Sequence, residues 1–290
     1  MELLIKNKKR DMLRSFSFIF TRSVFKEIIE YQDFSRIDNL IEQYELGQKG
    51  VSTYQEVIRK MYCVIRNQYC CEYVYKNEFL TRILIQQYGT AKTVAFNEFK
   101  VPPSIVDIAL FNGESKAFEI KTEYDTPKRL YGQIANYTNF FDKCYLIIPE
   151  ALLTKYLDLI DFNVGILLLS QSKSSIKIFE YRDASNNDSL SVELVMRVLH
   201  TQEYKNIIKS FFGEIPPVSC FEMFELCQDL MKEIPTYILR TLILGEIKKR
   251  RNNTCYLKHF PNELRQIALS LNLNHEEMLI LKKSLEKLVI

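Results

Sequence analysis

Glycine and proline are scarce, eight of each in 290 residues. That shortage argues against long disordered stretches. No apolar run approaches the length that spans a bilayer, so a membrane partner is not expected. The early run Phe16-Ser17-Phe18-Ile19-Phe20 is too short for a signal peptide, and Thr21-Arg22 cuts it off. No glycine-rich phosphate loop is present, which argues against nucleotide triphosphate hydrolysis. The seven cysteines lack a tight C-x-x-C knuckle. Cys220, Cys227, Cys255 and His259 therefore make a zinc set only on paper, and Cys63, Cys70 and Cys71 have no downstream cysteine cluster to complete an iron–sulfur site. An odd thiol count without a signal peptide points to a reducing, cytoplasmic setting. There is no internal repeat. The formal net charge of +3 is mild and neither demands nor excludes nucleic acid.

What is present is a core-forming composition, 47% hydrophobic with frequent phenylalanine and tyrosine. The length predicts about two domains. Residues 1–73 read as a helical segment, with apolar residues at three- and four-residue spacing in 23–31 and 54–69. Ser52 or Thr53 is placed to cap the second of these helices. The tyrosine-rich stripe there reads as packing rather than base stacking. Residues 74–212 read as an α/β domain. Gly213-Glu214-Ile215-Pro216-Pro217 breaks the chain, and 213–290 then reads as a small all-helical domain. Lys248-Lys249-Arg250-Arg251 is the densest basic run. It suits either a helix C-terminus or contact with phosphates.

Chemistry concentrates between Glu78 and Lys121. Ser104 to Leu110 and Lys116 to Thr122 read as strands flanking Asn112-Gly113, a hairpin signal. Alternation puts Ala117, Glu119 and Lys121 on one face of the second strand, and Ile105, Asp107 and Ala109 on one face of the first. The opposite faces are apolar and are expected to enter the core, leaving Asp107, Glu119 and Lys121 directed to the other side. Register decides whether the acids meet. A two-residue loop sets Asp107 opposite Phe118, on the wrong face, whereas an odd loop or a bulge sets it opposite Glu119. An odd loop or a bulge is predicted, such as a three-residue loop with Gly113 left-handed. Paired carboxylates repel and are costly to bury without a cation. Hard divalent ions favour such oxygen ligands and activate water against a phosphodiester.

The wider pattern resembles the PD-(D/E)XK nuclease superfamily, with its restriction-endonuclease-like αβββαβ core and central mixed sheet. Glu78 to Ile85 matches its first helix, 93–99 its first strand, 130–141 its second helix and 144–148 the strand that follows. Strand-like runs at 164–169 and 176–181 extend the sheet. The acidic-x-Lys signature matches Glu119-Ile120-Lys121, the preceding acid matches Asp107, and Val106 stands where the name-giving proline would be. Gln133-Ile134-Ala135-Asn136-Tyr137 fits the Gln-x-x-x-Tyr of its recombination-and-repair branch. The meander is also similar to that of a group of poorly characterised bacterial and phage proteins.

The resemblance implies a Mg²⁺- or Mn²⁺-dependent deoxyribonuclease. Asp107, Glu119, the Ile120 carbonyl and Glu78 would hold the metal, Lys121 would activate water or neutralise developing charge, and Gln133 would orient Lys121 or a phosphate. Tyr137 is read either as a contact to nucleic acid or as a packed aromatic. The implied partner is nucleic acid, DNA first, alongside a homodimer or a protein partner. The alternative function is a catalytically silent binding module on the same fold, a regulator or immunity-type partner.

Overall fold

The computed structural model describes residues 2–172 and 176–290. The chain opens with five helices: α1 (Glu2–Ile19), α2 (Arg22–Tyr31), α3 (Ser35–Tyr44), α4 (Tyr54–Gln68) and α5 (Glu72–Phe79). Of the two candidate caps, Thr53 starts α4. Its hydroxyl accepts from the Glu56 N–H at 3.3 Å, and the Glu56 carboxylate accepts from the Thr53 N–H at 2.9 Å. This reciprocal pairing satisfies two donors that a helix start leaves open. Tyr54, Val57, Ile58, Met61, Tyr62 and Ile65 form the buried stripe of α4, which confirms the spacing read from sequence. The helix expected from Glu78 to Ile85 is different. The α-helix ends at Phe79, and Leu80–Tyr88 continues as a π-helix. An eight-residue apolar pattern is too short to tell a 3.6-residue turn from a wider one.

Three strands follow, β1 (Val94–Val101), β2 (Ser104–Asn112) and β3 (Glu114–Ile120), then α6 (Leu130–Thr138) and β4 (Lys143–Pro149). Next come α7 (Leu153–Leu157), β5 (Gly165–Gln171) and β6 (Ile176–Arg182). The remaining helices are α8 (Val192–Val198), α9 (Thr201–Phe212), α10 (Met223–Lys232), α11 (Thr236–Lys248), α12 (Arg265–Leu271) and α13 (His275–Leu285). The six strands form one sheet in the order β1-β2-β3-β4-β5-β6. The first three are antiparallel and β4 runs parallel to β3, so this is an α/β protein with a mixed sheet.

By internal contacts the chain forms two units. One comprises residues 1–91, 169–178 and 253–290, and the other 92–168 and 179–252. The helical C-terminal part is thus divided at residue 253. A contact-based division follows packing, whereas the break read at 213–217 followed composition.

In the sheet-bearing unit, Ala109, Phe111 and Ala117 join Leu130, Ile134 and Tyr137 of α6 in one hydrophobic cluster. Phe118, directed from the other face of β3, stacks on Tyr145 at 5.0 Å between ring centroids. Both faces of these central strands are therefore covered. The face that carries Asp107 and Glu119 lies beneath α6. The small side chains Ala109 and Ala117 let the helix lie close over it.

Candidate active site

The β2–β3 ladder pairs Asn112 with Glu114 and Ile108 with Phe118. Gly113 alone turns the chain, with φ +74°. This is the odd loop that parity required, and glycine suits it because an L side chain at positive φ meets its own backbone. Continuing the register by one pair sets Asp107 across from Glu119. The Ile120 N–H donates to Asp107 Oδ2 at 2.8 Å, so the first acid is tied to the backbone of the second strand. At the far end of the hairpin, Asp142 accepts from both the N–H and the hydroxyl of Ser115, each at 2.7 Å, and pairs with Arg240 at 2.9 Å. Register is held at both ends.

Beyond β3 the Lys121 N–H still donates to the Ile147 carbonyl at 2.9 Å. Asp125 then receives the Thr122 N–H and hydroxyl, both at 2.7 Å, and turns the chain away. Lys121 is thus fixed at the strand end, with only 9% of its surface exposed. Its ammonium donates to Glu119 Oε1 at 2.5 Å and to Gln133 Oε1 at 3.2 Å. Gln133 and Tyr137, one turn apart on α6, both face this pair. The Gln133 amide donates to the Tyr137 hydroxyl at 3.4 Å. That hydroxyl lies 2.7 Å from the Ile105 carbonyl and 2.9 Å from Glu119 Oε2.

Glu119 is 3% exposed. Burial pushes its carboxyl up, the neighbouring Asp107 charge adds to the rise, and Lys121 and Tyr137 offset only part of it, leaving it at about 7. Burial likewise raises the Tyr137 phenol well above its ordinary range, with the Glu119 charge adding to it. Glu119 is therefore poised between its two protonation states near neutral pH.

The structure brings Asp107, Glu119, Ile120, Lys121, Gln133 and Tyr137 together. Tyr137 is wholly buried and braces Glu119 from within. Glu78 belongs to the other unit, where its carboxylate accepts from Arg82 Nε at 2.8 Å and the Tyr62 hydroxyl at 3.1 Å. Among the described residues no three His, Cys, Asp or Glu side chains form a ligand cluster. The carboxylate pair stands with an ammonium, an amide and a phenol, without a third acid.

In the basic run at the end of α11, Arg250 is committed to the fold, while Lys249 and Arg251 are exposed. Arg250 donates to both Glu203 oxygens at 2.6 Å and to the Val198 carbonyl at 2.9 Å, and its guanidinium lies over the Phe99 ring. Lys249 pairs with Glu246 at 2.5 Å. A feature that sequence reasoning missed is Glu98. The β1–β2 ladder pairs Asn97 with Ile108 and Phe99 with Val106, so Glu98 falls across from Asp107, and it holds a left-handed φ of +52°. For a residue other than glycine that conformation costs on the order of 1–2 kcal/mol. Nothing in Phe96-Asn97-Glu98-Phe99 signals it.

The fold and site thus define an α/β protein with a carboxylate–lysine cluster under one helix of its sheet. The family model of "Bacteriophage P4 protein cII" matches residues 65–272, well over half of the chain, and the chain belongs to that family. Protein cII of Enterobacteria phage P4 is 23% identical over 151 residues, 51% of this chain and 55% of the relative. The chain thus spans about half the length of the curated relative it matches. Among solved structures, the SPO1766 protein of unknown function from Silicibacter pomeroyi is similar at 15% identity and a TM-score of 0.30, over 49% of this chain and 94% of that chain.

These findings correct the family expected from sequence. The resemblance to the PD-(D/E)XK superfamily rested on a few charged positions at short spacing, whereas the match over residues 65–272 is to phage P4 protein cII and names no nuclease. Adjacent strands readily set an acid beside an acid-x-lysine run, and that arrangement alone does not define a family. Among the described residues no helix is long and apolar enough to cross a membrane.

Proposed function

We propose that the cluster around Glu119 serves metal-dependent hydrolysis of nucleic-acid phosphodiesters, with DNA as the first substrate to test. One observation carries the reading: Asp107, which accepts from the Ile120 N–H, lies beside buried Glu119, and Glu119 is paired with the Lys121 ammonium. The donor set fits Mg²⁺ or Mn²⁺, which need only one or two carboxylates and keep water in their other positions. Asp107, Glu119 and the Ile120 carbonyl would hold the ion. When bound, it would supply Lewis acidity and a water of lowered pKa. The chain's own residues do the rest. Lys121 offers a positive charge beside the acids, where negative charge on a phosphate would develop. Gln133 holds that ammonium in place, and Tyr137 fixes Glu119 from beneath.

A second reading is a catalytically silent binding module that acts as a regulator or immunity-type partner. It is favoured by the full use of Glu119, whose two oxygens are already engaged by Lys121 and Tyr137. Mn²⁺ titration followed by electron paramagnetic resonance separates the two. Hydrolysis predicts Mn²⁺ binding that Glu119→Ala abolishes, and nicking of plasmid or single-stranded DNA that Lys121→Ala abolishes without loss of Mn²⁺. Intact DNA under all conditions, with Mn²⁺ binding unchanged in Glu119→Ala, transfers the assignment to the binding module.

A further inference from the structure

A second site lies in the helical unit. One face of α4 forms a wall of a cavity of about 630 Å³, and residues 258–265 together with Lys282 of α13 form the opposite side. Its charge is lopsided. Arg59, Arg66, Lys258, Arg265 and Lys282 line it against one carboxylate, Glu263, with Glu78 lying 3.9 Å behind Arg66. Five cations against two acids make a surplus as large as the formal net charge of +3 on the entire chain. The cations are firmly placed. Arg59 pairs with Glu263 at 3.3 Å, and buried Arg265 donates to the Leu257 carbonyl at 3.2 Å and the Thr81 hydroxyl at 3.0 Å.

We propose that this cleft binds the phosphate backbone of nucleic acid without regard to base sequence. Arg59 and Arg66 stand seven residues apart on α4, a rise of about 10 Å, or roughly three steps of a DNA strand. A row of cations spaced along a helix suits successive phosphates of a chain better than one isolated phosphate. The two large aromatic rings at the cleft, Tyr62 and Phe260, are themselves buried and offer no face on which a base could stack. The same lack of an accessible apolar anchor disfavours an acidic protein segment, which would need one for affinity. The proposal stands independently of hydrolysis at Glu119.

The test uses the full chain in EDTA, so that cleavage cannot intervene, with fluorescein-labelled single-stranded and duplex oligonucleotides read by anisotropy. Lys258 and Lys282 are exposed, so Lys258→Gln/Lys282→Gln leaves the core untouched. The double variant is expected to weaken binding at low salt at least about tenfold. It should also flatten the plot of log affinity against log salt by about 1.4 for single strands or about 1.8 for duplex. Lys8→Gln/Lys9→Gln on α1 removes the same charge from an exposed surface and is expected to leave most of the affinity in place. An unchanged salt slope in the cleft variant, or an equal loss in the α1 variant, overturns the proposal. So does displacement of the oligonucleotide by polyglutamate or by inorganic phosphate at matched charge.

Discussion

Removing the charge of Glu119 tests the electrostatics of the sheet site without reference to any ligand. Its carboxyl rises from an ordinary 4.5 to about 7 in the folded protein, chiefly through burial. Between those limits the folded chain keeps a proton that the unfolded chain has lost. Stability contributed by this group is therefore whole below pH 4.5, falls as pH rises towards 7 and is flat above it. The rise of about 2.5 units corresponds to about 3 kcal/mol. Glu119→Gln has nearly the same shape and does not titrate. It deprives Lys121 of its counterion, and that cost is constant while the ammonium stays charged. The difference in stability between the parent chain and Glu119→Gln should thus change by about 3 kcal/mol from pH 4.5 to pH 8, with the parent losing ground. Urea unfolding at half-unit pH steps in EDTA measures this. Carbon-13 NMR of glutamate-labelled protein gives the midpoint directly, as the one resonance that Glu119→Gln deletes. Parallel stability curves, or a midpoint below pH 5, would refute the reasoning.

Two further outcomes follow from packing. Tyr137→Phe removes the hydroxyl from a buried contact with the Ile105 carbonyl and Glu119. It should cost about 1–3 kcal/mol by chemical denaturation. Gly165→Ala would place a Cβ 2.4 Å from the Tyr145 ring and 2.8 Å from the Ala184 nitrogen. Tyr145 cannot yield easily, since it stacks on Phe118 and donates to Asp183 at 2.6 Å. A loss of about 1–3 kcal/mol is expected, with altered near-ultraviolet circular dichroism from the disturbed tyrosine.

The hairpin was legible because parity is arithmetic. Only an odd turn puts Asp107 and Glu119 on one face, and Gly113 is the residue that can make it. The pairing of Gln133 with Tyr137 was legible because residues four apart share a helix face. The cover over the site was implied only by the resemblance, since alanines at 109 and 117 read equally as surface or as room for a helix. Arg250 was misleading for a related reason. Four consecutive basic residues look like one feature, yet Lys249 pairs within its own helix turn with Glu246, and Glu203, which claims Arg250, is 47 positions away. The left-handed Glu98 is a backbone state that its side chain does not announce. The family itself lay beyond four or five charged positions, because a motif that short reports local chemistry and not descent.

The hydrogen bonds around Tyr137 carry a last consequence for the sheet site. A phenol has one proton, and here it faces two oxygens, the Ile105 carbonyl and Glu119 Oε2. The carbonyl can only accept. While Glu119 is ionised the phenol can donate to Glu119 Oε2, a hydrogen bond that favours the charged carboxylate; protonated Glu119 can instead donate to the phenol oxygen and leave the phenol proton to the carbonyl. Ionised Glu119 makes the two oxygens compete for a single proton. The network can hold either protonation state, and burial with the Asp107 charge outweighs Lys121 and Tyr137 to leave the carboxyl at about 7. Any cation that engages Glu119 must first release that proton. Its binding should strengthen about tenfold between pH 6 and pH 8, as the ionised fraction rises from about a tenth to about nine tenths. Lys121 lowers the cost of ionisation, and Asp107 together with burial raises it by more.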